Sequence, residues 1–211
     1  MLKKPMHLME RRYGIVLLVL MTFLLFPVWG MGAATEAAGD FHAVRFSKVF
    51  AGLSCNFFYP SQSDFRDIYK SIIVHPQIRV GYFFSPAIYV FSAFDFLSLN
   101  GKTPEWEMNT KLTQMIFSLG AGYLKEISGK IDVSGALSLI YLEYKEEIQT
   151  LTMENSSNCL GFSLEGAIYY KFSRKIKGIT CLNYSLAQKT SDDVTTKFGG
   201  FRLGIGALYC F

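Results

Sequence analysis

The sequence predicts an all-β fold, an eight-stranded antiparallel up-and-down transmembrane β-barrel over residues 46–211, preceded by a cleaved signal peptide. Three observations predict it. The first is a leader with charged, oily and small-residue regions in that order. The second is a set of eight segments in which apolar and polar side chains alternate with a period of two. The third is that aromatic residues gather at both ends of the oily face of those segments.

The leader comes first. Lys3, Lys4, Arg11 and Arg12 precede the run GIVLLVLMTFLLFPVW, and GMGAATEAAGD follows it. That run contains Pro27 and is shorter than the roughly 20 residues a spanning helix needs. Gly32 and Ala34 fill the small-residue positions of a cleavage site, so cleavage is expected after Ala34. Residues 1–34 are then signal peptide, 35–45 a short periplasmic segment and 46–211 the barrel. The leader removes four Lys/Arg and one Glu from totals of 21 and 17, leaving 17 cations and 16 anions. A mature chain near charge +1 has no basic stripe for nucleic acid.

The expected strands are residues 46–58, 73–84, 87–99, 109–124, 131–144, 159–172, 176–189 and 198–211. Each is at least as long as the 9–11 residues, approximately, of a tilted transmembrane strand. The connections FSPA, KEISGK and SRK are short, whereas YPSQSDFRDIYKS, NGKTPEWEM, KEEIQTLTMENSSN and KTSDDVTTK are longer and polar. Short periplasmic turns and longer outer loops produce this asymmetry. In the first long loop, Ser61 followed by Asp64 predicts a helix start, with Phe65, Ile68 and Tyr69 on one face. The NSS at Asn155 reads as a polar loop tip.

The outward parity carries Tyr82, Tyr123, Tyr170, Phe172, Tyr209 and Phe211 beside the short turns, and Phe57, Phe96, Tyr141, Tyr184 and Phe201 toward the long loops. Amphipathic rings prefer the membrane–water interface, so two belts favour a membrane barrel over a secreted ligand-binding one. The last strand ends in an outward stripe, Phe201, Leu203, Ile205, Ala207, Tyr209 and Phe211.

The inward parity holds Arg79, Asp95, Glu165 and Arg202 at similar depth, with Asn56, Gln77, Gln114 and Asn183 as hydrogen-bonding candidates. Charges in so narrow a space must pair. An eight-stranded lumen is only wide enough for side chains to fill it, so this quartet is expected to plug the barrel rather than gate it. Phe50, Phe58, Ile140 and Leu142, also inward, are candidates for a small oily pocket near the mouth. Cys55, Cys159, Cys181 and Cys210 show no short-spaced pair; parity turns Cys55 outward and Cys181 and Cys210 inward, and they read as small apolar side chains.

The mature region resembles the small outer-membrane β-barrels of the OmpA/OmpX/OmpW and opacity type. FFYPSQSDFRDIY, followed by a strand, a tight turn, a strand and LNGKT, is similar to uncharacterised outer-membrane β-barrel domains. The resemblance implies a bacterial outer-membrane location, contact with membrane lipid and lipopolysaccharide, and biogenesis by the barrel-assembly machinery. It also implies that the stripe Phe201, Leu203, Ile205, Tyr209 and Phe211 acts as the assembly signal. A structural or surface-interaction role is expected, with a conduit or binder for small hydrophobic molecules as the alternative and a lipid-modifying barrel enzyme as the least favoured reading.

Lipid-modifying barrel enzymes pair a His with Ser and an acid, since a hydroxyl needs a base within reach. Here the mature region has only His42 and His75, with Ser71 the hydroxyl nearest His75 across the loop. No catalytic constellation, cofactor or metal site is expected. The outer loops are of modest length, which weakens without removing the reading of an adhesin that raises long strands above the membrane.

Overall fold

The computed structural model describes residues 48–69, 72–103, 106–148, 153–191 and 194–211. The expected signal peptide and the 35–45 segment lie outside the described residues, as do His42 and Ser71. The elements are β1 (Val49–Pro60), α1 (Ser63–Ile68), β2 (Ile73–Phe83), β3 (Ile88–Lys102), β4 (Asn109–Ser128), β5 (Ile131–Ile148), β6 (Met153–Lys171), β7 (Ile176–Ser191), β8 (Val194–Lys197) and β9 (Gly200–Cys210). Each of β1 to β6 pairs antiparallel with the next, and β6 pairs with β7. β9 lies between β7 and β1, in register from Phe50↔Cys210 to Pro60↔Gly200 against β1. That seam closes an eight-stranded up-and-down barrel. β8 stands outside it, paired only with the outer end of β7.

Parity decides which side chains meet water, lipid or lumen, because successive strand residues point to opposite faces. Along β2, buried Ile73, His75, Gln77 and Arg79 alternate with exposed Val74, Pro76 and Ile78. The outer surface is oily: Leu53, Ile78, Leu119, Leu137, Leu139, Leu164, Ile168, Leu182 and Ile205 are all exposed. Ring pairs flank this band, with Tyr82–Phe84, Tyr170–Phe172 and Tyr209–Phe211 centroids 5.0–5.2 Å apart at the short-turn end. At the other end, Tyr184 and Phe201 stand 4.7 Å apart.

Two short turns use the same chemistry. In Phe84–Ile88 and Phe172–Ile176 the Phe amide donates to the Ile carbonyl at 3.0 and 3.1 Å. The Ser85 and Ser173 hydroxyls accept from the Ile amides at 3.1 and 3.0 Å. A Ser hydroxyl that bonds nearby backbone is a recurrent way to hold such a turn.

Several elements run further than the alternation predicts. Both described ends of the stretch expected as the loop KEEIQTLTMENSSN instead continue the β5–β6 ladder, with Lys145↔Ser156 and Ile148↔Met153 in register. Likewise the described ends of KTSDDVTTK continue β7 and form β8, paired from Gln188↔Lys197 to Ser191↔Val194. Beyond the oily band both faces of a strand meet water, so apolar alternation vanishes while backbone pairing persists. Asn155 accordingly sits in β6, opposite Glu146, and not at a loop tip. The loops are therefore shorter, and the raised strands longer, than the sequence predicts.

α1 forms where the sequence places a helix, but its start is different. Gln62 is the N-cap and makes no side-chain cap bond. The Ser61 hydroxyl instead donates to the Gly199 carbonyl at 2.8 Å, tying the end of β1 to the start of β9. Gly101 makes room for the helix end, since a Cβ there would collide with the Ile68 carbonyl and the Tyr69 ring.

Candidate functional site

The barrel interior is built in three layers. At the short-turn end, Phe50, Phe83, Tyr89, Phe91, Tyr169 and Leu208 belong to one buried apolar cluster. Its rings meet at 5.1 Å (Phe50–Phe83), 5.6 Å (Phe83–Tyr89) and 6.0 Å (Tyr89–Phe91). At the same end, buried Asp132 lies 2.8 Å from the Lys171 ammonium and 3.1 Å from that of Lys177. The sequence reading missed this triad, although Asp132 stands on the inward parity of β5 with Ser134 and Ser138.

The middle layer holds the four inward charges, each 6% exposed or less. Arg79 from β2 reaches across to β6 and donates twice to Glu165, at 2.6 and 2.5 Å. Its guanidinium also lies 4.6 Å over the Phe91 ring. Arg202 from β9 donates to Asp95 of β3 at 3.2 Å. Gln77 joins the pairs, giving its amide to both Asp95 oxygens at 3.1 Å and accepting from Arg79 at 3.3 Å. Asn56 adds a donor to Asp95 at 3.3 Å, and Asn183 donates to Ser163 at 3.1 Å. A void of about 10 Å³ between these side chains is the order of one water molecule.

His75 belongs to this layer, 3% exposed, its Nδ1 3.2 Å from Asp95 Oδ1. Phe58 packs edge-on against it at 6.4 Å. The histidine is thus placed beside a carboxylate, with no serine hydroxyl bonded to it among the described residues.

The outer layer is apolar and divided. Phe58, Ile73 and Leu97 form one cluster, with Phe65 of α1 and Leu99 packed on it. Ile116, Ile140, Leu142, Cys159, Ala187 and Phe198 form another, joined by Tyr144. Phe50 belongs to neither. It is the second residue of β1, which starts at the short-turn end, so its inward parity was legible but its depth was misread. The four residues expected to line one mouth pocket therefore lie in three clusters.

Above this layer lies a cavity of about 170 Å³ that no sequence motif announces. Its wall joins α1, β4, β5, β6 and the β8–β9 region through Phe65, Tyr69, Leu112, Tyr144, Asn155 and Phe198. Tyr69 is buried, and its hydroxyl donates to the Glu146 carboxylate. Burial and that carboxylate push the Tyr69 hydroxyl above the usual phenol range. Two ring pairs face the cavity, Phe65–Tyr69 at 5.0 Å and Tyr144–Phe198 at 4.5 Å.

The outward stripe of β9 is exposed throughout, at Phe201, Leu203, Ile205, Tyr209 and Phe211. Cys55 is exposed on the outer face, while Cys159, Cys181 and Cys210 are buried, and all four thiols are free.

No protein-family model matches the chain, and no curated protein matches it in sequence. Solved structures do. Neisserial surface protein A aligns with a TM-score of 0.60 at 11% identity, over 77% of this chain and 97% of that one. The outer membrane protein OprG of Pseudomonas aeruginosa aligns with a TM-score of 0.60 at 14% identity, over 79% and 97%. The N-terminal β-barrel domain of Pseudomonas aeruginosa OprF gives 0.55 at 11%, over 79% and 98%. The fold is that of a small eight-stranded outer-membrane barrel. At these identities the likeness speaks for the fold, and the role has to be argued from the filled lumen, the oily exterior and the mouth cavity.

Proposed function

We propose that this protein is exported, loses its leader near Ala34 and resides in a bacterial outer membrane as a closed barrel with a structural or surface-interaction role. The observation that carries this reading is the filled lumen: an aromatic layer, a hydrogen-bonded charge network and two apolar clusters succeed one another from end to end. The exterior supports the location. Between the belts the outward positions of the described strands are uncharged, as hydrocarbon demands. Membrane lipid and lipopolysaccharide are its surroundings, and the barrel-assembly machinery, reading the β9 stripe, is its partner during insertion. The reading assigns it no catalysis and no cofactor.

The test is membrane fractionation with intact-mass measurement. Outer-membrane protein beginning near Thr35 is the expected result, and protein retaining the run at residues 14–29 overturns it.

A second reading, a sideways conduit for small hydrophobic molecules, is favoured by one feature of the wall. The β2–β3 ladder ends at Gln77↔Asp95, although β3 continues to Lys102 and β2 begins at Ile73. Pro76, with no amide hydrogen, stands at that break. Joining the two strands with V74C/S98C should abolish uptake of a small apolar dye into proteoliposomes; unchanged uptake removes this reading.

A further inference from the structure

The mouth cavity combines three properties that the barrel itself does not require. It is large enough for a single ring, since about 170 Å³ is comparable with a cavity of roughly 150 Å³ that holds benzene in another protein. It is bordered by the rings of Phe65, Tyr69, Tyr144 and Phe198, whose π faces attract cations. And its lining holds two carboxylates, Asp64 and Glu146, with no Lys, Arg or His among the described residues.

Among the described residues, neither carboxylate is paired with a cation. Glu146 accepts from the neutral Tyr69 hydroxyl, and Asp64 from the Ser63 hydroxyl at 3.1 Å. Lys145, beside Glu146 in sequence, pairs with Glu147 at 2.6 Å.

We propose that the outer mouth is a binding site for a small organic cation, a one-ring arylalkylammonium. The ring fills the aromatic cavity and the ammonium turns to Glu146 and Asp64. Neutral analogues lose the charge interaction, and anionic ones are repelled by both carboxylates. This goes beyond the closed-barrel reading, because the cavity lies outside the plugged lumen and its occupancy needs no passage through it.

The experiment is calorimetric titration of the full barrel in detergent micelles with phenethylammonium, benzyl alcohol and 3-phenylpropionate. Phenethylammonium should bind at least about tenfold more tightly than either analogue, and E146Q should weaken it by about tenfold or more. Gln can still accept from Tyr69, so this variant removes charge and keeps the local hydrogen bond. Heat-dependent gel mobility reports whether each variant is folded. Because Asp64 is exposed on α1, D64N provides a second variant with little risk to folding, and it should weaken binding in the same direction. Equal affinity for benzyl alcohol, no phenethylammonium binding by the native chain, or undiminished binding by folded D64N and E146Q would each overturn the proposal.

Discussion

Arg79 and Glu165 meet across the lumen through two charge-assisted hydrogen bonds, both side chains sealed from water. Leaving one buried charge without its partner typically costs about 3–5 kcal/mol, because its desolvation is no longer offset. Urea unfolding of lipid-reconstituted barrel should therefore show a loss of about that size for Arg79→Ala or Glu165→Ala alone. The double variant should lose clearly less than the sum. Arg79→Ala with Asp95→Ala should couple more weakly, since Gln77 stands between them. Parity and depth made the four charges legible as one layer in the sequence. Which cation meets which anion was not legible, because Arg79 reaches from β2 to β6 and that pairing exists only once the sheet is curved and closed. Cysteine offers a separate check of parity: a lipid-soluble maleimide should label Cys55 in the folded barrel and spare Cys159, Cys181 and Cys210, as mass spectrometry would report.

Strand lengths show where alternation stops being a guide. The upper β5–β6 ladder carries Lys145, Glu146 and Glu147 in succession, so no oily face marks it as strand. Replacing residues 148–153 by Asn-Gly would join the paired residues Glu147 and Glu154 through a hairpin turn suited to their geometry. Chemical unfolding should shift by no more than about 0.5 kcal/mol, the range expected of surface changes. Inside the band the tolerance is lower. A Cβ on Gly204 would run into Asn56 Oδ1 and Cys181 Sγ, whereas one on Gly135 meets nothing within 4 Å. Gly204→Val should cost about 1–3 kcal/mol by overpacking, and Gly135→Ala should leave the midpoint nearly unchanged. The mouth cavity escaped the sequence for a related reason: α1, β5 and the β8–β9 region converge there from distant parts of the chain.

At the scale of the whole molecule, the legible features were those repeated on every strand: the period of two, the paired aromatic belts and the even strand number. Closure itself rests on the β1–β9 seam, which spans eleven register pairs from Phe50↔Cys210 to Pro60↔Gly200. Once closed, an eight-stranded barrel has no room for a water column beside Arg79, Glu165, Arg202 and Asp95. Current across a planar bilayer tests that claim most directly. The native barrel, inserted at single-molecule density, should give no resolvable unitary steps at either polarity. Regular unitary openings of the native chain would show a continuous aqueous path and would contradict the filled lumen.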